Sequence, residues 1–310
     1  MQKNKGKVDV SVILPAYNEE NNISIAVKKS INALNGLKCS GEIIVIDDGS
    51  TDNTAKEVAD IISSESQLYM IRHRINRGLT ESLITGFSHA QGDIIIFLCA
   101  DLQSNPEEDI PKLVNEIRMG YDVVVGWRQG RRENKVFLSR IYNFVCAKLF
   151  NLHLHDMNWI KAFRREAIED LELKSDWHRF ILMLAAHKGY KIGEVKTNWY
   201  PRKKGKSKFG FSRISTAFFD VMAIKFLLLF MDKPIRFFGF LGMLLIALGL
   251  LILFILIVIW FTSHMQFRPF MLFSLFSILI GIFTLMIGFL AELISMQQIK
   301  LNRIEQQLKR

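Results

Sequence analysis

The chain has 310 residues, half of them hydrophobic, and a net charge of +10, which fits one or two domains. A basic balance points to nucleic acid, an anionic membrane or a phosphorylated substrate, and the chain has no zinc-finger spacing, leucine zipper or RNP-type aromatic motif, so no nucleic-acid partner is expected. Its three cysteines, Cys39, Cys99 and Cys146, form no CxxC pair and no disulfide framework, which suits a reducing compartment.

Residues 1–7 are polar and basic, and the apolar stretch that follows is too short for the core of a signal peptide. The first domain is therefore expected to stay in the cytoplasm. Strand and helix patterns then alternate. Residues 8–14 read as a strand, 22–34 as a helix, 42–46 as a strand and 51–62 as a helix. The same alternation continues with a strand at 68–72, a helix at 79–90, a strand at 93–98, a helix at 110–119 and a strand at 122–125. It predicts an α/β domain with a mostly parallel sheet and helices on both faces.

In such sheets ligands sit outside the carboxyl ends of the strands. Four polar clusters fall there: Ala16-Tyr17-Asn18-Glu19, Asp47-Asp48-Gly49-Ser50, Asn76-Arg77-Gly78 and Ala100-Asp101-Leu102-Gln103. Four clusters on one edge predict a single site. GxGxxG is absent, which disfavours a dinucleotide fold.

The last third is different. Residues 237–267 and 269–291 are each long enough to cross a bilayer as a helix and are nearly free of formal charge. Basic residues crowd before the first span and after the second, with only Arg268 between, which predicts cytoplasmic ends. Residues 209–230 carry only Arg213, Asp220 and Lys225 as charges. They read either as an interfacial helix or as a helix packed on the soluble domain. The expected domains are 1–208, a juxtamembrane region 209–236, a two-helix transmembrane hairpin 237–294 and a basic tail 295–310.

Pro15-Ala16-Tyr17-Asn18-Glu19, Asp47-Asp48-Gly49-Ser50-Thr51-Asp52, Asn76-Arg77-Gly78 and Asp101-Leu102-Gln103 together resemble the family 2 glycosyltransferases, which have a Rossmann-like GT-A fold. Gly126-Trp127-Arg128, Ser139-Arg140, Asp156, Phe163-Arg164-Arg165, His178-Arg179-Phe180 and the basic run 201–210 are similar to the polyprenyl-phosphate sugar transferases within it, such as dolichyl-phosphate mannose synthase and the bactoprenol glucosyltransferases. The resemblance covers about residues 8–236. It implies inverting transfer of a sugar from a nucleotide-sugar donor to polyprenyl phosphate by a multi-pass protein of the inner membrane, with its catalytic domain in the cytoplasm. Membrane lipid is then a further partner. Members of the group can be tetramers, and no residue here decides association.

The resemblance also implies residue roles. Asp101 is the metal candidate, with Gln103 beside it, holding Mg²⁺ or Mn²⁺ against the donor diphosphate. The first Asp of the family's Asp-x-Asp is Cys99 here, and a thiol is a poor partner for Mg²⁺. Pro15, Tyr17, Glu19, Asp47, Asp48, Asn76, Gly78 and Asp101 are the expected nucleotide-sugar contacts. Asp52 reads as a helix cap. Asp101 and Asp156 are the catalytic candidates, Asp156 on the acceptor side as an orienting group or general base. Arg128, Lys135, Ser139 and Arg202 are the expected contacts to the lipid phosphate, where guanidinium groups grip through paired donors. His153 and His155 receive no role. The rival readings are a family 2 transferase with another lipid or glycan acceptor, and a non-catalytic membrane scaffold.

Overall fold

The computed structural model describes residues 7–130, 146–150, 152–171, 173, 177–201, 222–226, 234–263 and 268–308. The chain divides into two compact units, Met1–Val221 and Met222–Arg310. The division falls inside the expected juxtamembrane region.

The first unit is built on a seven-stranded sheet. Its first four strands are β1 (Val10–Ala16), β2 (Gly41–Asp47), β3 (Leu68–Arg72) and β4 (Ile94–Phe97). They are joined by α1 (Ile23–Gly36), α2 (Thr54–Ile62) and α3 (Leu79–His89). Then come α4 (Pro106–Arg118), β5 (Val123–Gln129), β6 (Lys161–Arg164), α5 (Arg165–Glu169), α6 (Ile181–His187) and β7 (Ile192–Asn198). The spatial order is β3-β2-β1-β4-β6-β5-β7. All pairs are parallel except those of β6, which runs antiparallel to both β4 and β5. The expected mostly parallel sheet is present; the antiparallel β6 and the edge strand β7 are additions to it.

The central strands read as continuous Val/Ile/Leu runs because both faces are covered. Val10, Val12, Ile13 and Leu14 of β1 and Ile43, Val45 and Ile46 of β2 have no exposed surface. α1 turns Ile23, Ala26, Val27, Ile31 and Leu34 inward at helical spacing. α4 opens four residues before the expected start, with Pro106 at its first turn and Glu107, Glu108 and Asp109 behind it. Proline suits that position, and carboxylates there suit the positive end of the helix dipole. α3 lies close on β1: a Cβ at Gly86 would stand 2.5 Å from Ile13 Cγ2.

The second unit contains α7 (Pro234–Ser263) and α8 (Arg268–Leu308). Both are long and apolar enough to cross a membrane. They pair as an antiparallel hairpin through small residues. A Cβ at Gly242 would lie 2.8 Å from the Gly281 carbonyl, and one at Gly249 would lie 2.7 Å from that of Ser274. Ser277 Oγ donates to Leu245 O at 2.8 Å. Glu292 accepts the Ile235 N–H, at 3.3 Å, in the first turn of α7. The outward faces are large and apolar, with Phe240, Phe254, Phe261, Phe283 and Phe289 at least half exposed. Such a surface is stable in hydrocarbon and not in water. The expected basic tail 295–310 is helical as far as Leu308, continuing α8.

Candidate active site

β1 has β2 on one side and β4 on the other, so the strand order reverses beside β1. The crevice beyond the carboxyl ends at such a reversal is where open α/β sheets bind ligands. The four polar clusters meet at this edge.

The loops after β1 and β2 are interlocked. Asn18, at a positive φ of 56°, donates its backbone N–H to Ser50 Oγ at 3.0 Å and accepts the Thr51 N–H on its side chain at 2.9 Å. The N–H groups of Glu19, Glu20 and Asn21 go to Thr54 Oγ1, Asp52 Oδ2 and Glu57 Oε1 at 2.9, 3.1 and 2.8 Å. Asp52 Oδ1 also accepts the Thr54 N–H at 3.0 Å, so it caps the start of α2 and ties down the neighbouring loop. Burial pulls the pKa of Asp52 up, but hydrogen bonds from Thr54 and Glu20 outweigh it and leave the pKa below its ordinary value. Gly49 turns this corner at φ 73°, where a Cβ would lie 2.6 Å from the Ile75 carbonyl carbon.

Asp47 and Asp48 face different partners. Asp47 is fully buried; it accepts the Ser50 N–H at 2.9 Å and lies 3.0 Å from Arg72 Nε. Asp48 receives the N–H groups of Arg77 and Gly78 at 2.9 and 2.8 Å, and His73 Nδ1 sits 2.7 Å from it. These bonds fix the 76–78 loop over the end of β2. Asn76 is exposed on that loop, and Gly78 holds φ 88°. Pro15, Tyr17 and Glu19 are half-buried on the facing loop.

Beyond β4, Asp101 is buried and accepts the Gln103 N–H at 3.2 Å, with Leu102 between them at φ 57°. Gln103 O accepts the Tyr200 N–H at 3.0 Å, which ties this loop to the chain leaving β7. Burial, and then the nearby Asp101 charge, push the Cys99 thiol up to about 12. It is a neutral thiol, unsuited to a hard cation. Among the described residues no group of three or more His, Cys, Asp or Glu side chains forms a metal cage. Asp101 with Gln103 beside it fits a cation held largely by substrate phosphates, as Mg²⁺ usually is.

Arg128, at the end of β5, grips Asp156 through Nε and through Nη2 at 2.8 Å from Oδ1. The guanidinium carbon lies 4.7 Å from the centre of the Trp159 ring. The Asp156 N–H donates to Glu194 Oε1 at 3.0 Å. Glu194 also holds His155 at 2.7 Å, and His155 stacks on Trp127 with ring centres 3.8 Å apart. His155, given no role by the sequence, therefore braces the Asp156 turn. Lys161, also unmarked in the sequence, is a buried lysine beside this group. Lys135, Ser139 and Arg202 lie outside the described residues.

An α/β sheet that gathers Asp47, Asp48 and Asp101 at its carboxyl edge, beside a reversal of strand order, has the layout of a ligand-binding α/β enzyme. Residues 11–185 match the model of glycosyl transferase family 2, and the chain belongs to that family. It is 30% identical over 302 residues to the dodecaprenyl-phosphate galacturonate synthase of Rhizobium johnstonii, covering 93% of this chain and 88% of the relative. It is 30% identical over 274 residues to the undecaprenyl-phosphate 4-deoxy-4-formamido-L-arabinose transferase of Pseudomonas fluorescens, covering 87% and 79%. The fold is shared with the glucosyl-3-phosphoglycerate synthase of Mycobacterium tuberculosis, crystallised with Mn²⁺, UDP and phosphoglyceric acid. There the TM-score is 0.54 at 22% identity, over 70% of this chain and 76% of that one. The protein is a glycosyltransferase.

Proposed function

We propose that the enzyme transfers a sugar from a nucleotide-sugar donor to polyprenyl phosphate, with inversion at the anomeric carbon, at the cytoplasmic face of the inner membrane. The observation that carries this is that one chain holds both the carboxyl edge from Asp48 to Asp101 and two helices apolar enough to span a bilayer. Relatives at 30% identity over nearly the whole chain act on dodecaprenyl and undecaprenyl phosphate by name.

In this reading the Asp48-braced 76–78 loop and residues 15–19 receive the nucleoside, and Asp101 and Gln103 face the diphosphate. A bound Mg²⁺ or Mn²⁺, held by Asp101 with Gln103, would offset the charge that develops on the departing diphosphate. One lipid-phosphate oxygen attacks the anomeric carbon as the bond from that carbon to the diphosphate oxygen breaks. A phosphate monoester has a second pKa of about 6, so the nucleophile is already ionised near neutrality. Asp156 therefore orients, and its grip on Arg128 sets the guanidinium at the acceptor side. Lys135, Ser139 and Arg202 join Arg128 on the lipid phosphate.

The test is direct. Purified protein in detergent is incubated with undecaprenyl phosphate, Mg²⁺ or Mn²⁺, and UDP-, GDP- and dTDP-sugars, and lipid products are weighed by mass spectrometry. A sugar-phosphate lipid that disappears in Asp101→Ala supports the reading. Donor binding with no lipid product from any sugar would refute the acceptor.

A further inference from the structure

Lys161 opens β6, level with Phe97 at the end of β4 and Val125 of β5. It therefore stands at the carboxyl edge, next to the loop that carries Cys99 and Asp101 and to the end of β5 that carries Arg128. Only 3% of it is exposed. Its Nζ donates to Trp159 O at 2.8 Å and lies 5.9 Å from the Phe97 ring centre. An ammonium has three donors, and among the described residues this is its one hydrogen bond. A buried charge is normally paired and fully hydrogen-bonded, because desolvation is costly. The ionisable groups around it are Asp156, Arg128 and the thiol of Cys99, which stays neutral. Asp156 is already held by Arg128, so Lys161, Arg128 and Asp156 together carry surplus positive charge.

We propose that Lys161 is a positioning residue for the donor: its ammonium is a fixed positive charge in the floor of the site, balanced by the anionic groups of the bound nucleotide-sugar. This rests on the donor reading above and deepens it. Because position 99 holds a neutral thiol, that residue supplies Lys161 no carboxylate partner, and the ammonium charge is left for an anionic ligand to meet. Two anionic sources share the chemistry, the diphosphate and a carboxylate on a uronic-acid sugar. Burial lowers the pKa of Lys161 to about 8, partly countered by Asp156. The charge is thus present at neutral pH and lost as pH rises through that value.

The experiment is calorimetric titration of the full-length protein in detergent with UDP, UDP-glucose and UDP-galacturonate in Mg²⁺. It compares wild type with Lys161→Met, Lys161→Gln and Lys161→Arg, with melting temperatures measured alongside. UDP affinity is expected to fall on the order of tenfold in the Met and Gln variants and to be kept in the Arg variant. Wild-type affinity should weaken between about pH 7 and 9, and the Arg variant should lose that dependence. Equal losses for all three ligands assign the charge to the diphosphate; a larger loss for UDP-galacturonate assigns it to the sugar carboxylate. Wild-type affinity in Lys161→Gln would overturn the proposal, since glutamine can keep the bond to Trp159 without the charge. Equal loss in all three variants with lowered melting temperatures would reduce the residue to packing, which also overturns it. If wild type binds none of the three ligands and neither GDP nor dTDP, the donor reading itself fails.

Discussion

Arg128 and Asp156, 28 residues apart in sequence, hold each other by two hydrogen bonds while the guanidinium lies over Trp159. The sequence resemblance sends one to the lipid phosphate and the other to the reacting centre. The structure makes them one unit, so neither can be altered alone.

Arg128→Lys keeps the charge and loses the planar fork. Transfer activity is expected to fall at least about tenfold, and Arg128→Ala further. The alanine variant also leaves a buried carboxylate unpaired, which costs about 3 kcal/mol or more. Melting temperature and turnover, measured together, separate the two effects. Full activity in Arg128→Lys would show that the fork is not needed.

Asp48→Ala removes the acceptor shared by Arg77, Gly78 and His73. Each orphaned donor costs about 1–3 kcal/mol. The 76–78 loop should loosen, and the donor KM should rise more than kcat falls. Hydrogen exchange at Arg77 and Gly78 reads the loosening directly; unchanged protection there would sink the assignment.

Cys99→Ala should leave the metal dependence of activity within roughly twofold, because a thiol that stays protonated offers a hard cation little. Iodoacetamide should likewise react poorly at neutral pH. A large shift in the metal requirement would make Cys99 a ligand after all.

Asp109, in the first turn of α4, is fully buried, and burial raises its carboxyl to about 7. Its folded pKa lies above the unfolded value, so the folded state holds the proton more tightly. Stability from this group is full below about pH 4 and declines as pH rises toward 7. Asp109→Asn should flatten that decline and raise the melting temperature at pH 8. A pH profile of melting in both proteins decides it.

Gly242→Val should prise the hairpin open, since a Cβ there already meets the Gly281 carbonyl at 2.8 Å. Lower thermal stability in detergent is expected, with Gly239→Ala as a control: there the nearest atom to a Cβ is Ile235 Cγ1 at 3.9 Å.

The first four strands were legible because each is an apolar run closed by turn residues, and because parallel strands buried on both faces have few polar interruptions. β6 was not. It is four residues long, Lys161-Ala162-Phe163-Arg164, and a run that short carries no sign of its direction. Nothing in the sequence marks its lysine as buried; its place between Phe97 of β4 and Val125 of β5 does. β7 alternates weakly, with polar residues at Glu194, Lys196 and Asn198. The polar clusters announced the edge of the site, but their internal bonds could not be read. Asn18 reaching Thr51 and Arg128 reaching Asp156 depend on strand order, which local patterns do not encode.

The two loops flanking the donor crevice share one set of bonds, from Asn18–Ser50 to Asn21–Glu57. These bonds couple the conformation of one loop to that of the other. If, as proposed, these loops receive the nucleoside, a mutation that reshapes one wall breaks a partner on the other, so retargeting to a new base calls for substitutions in matched pairs, and single-site libraries across residues 17–21 should yield few altered specificities and many inactive clones.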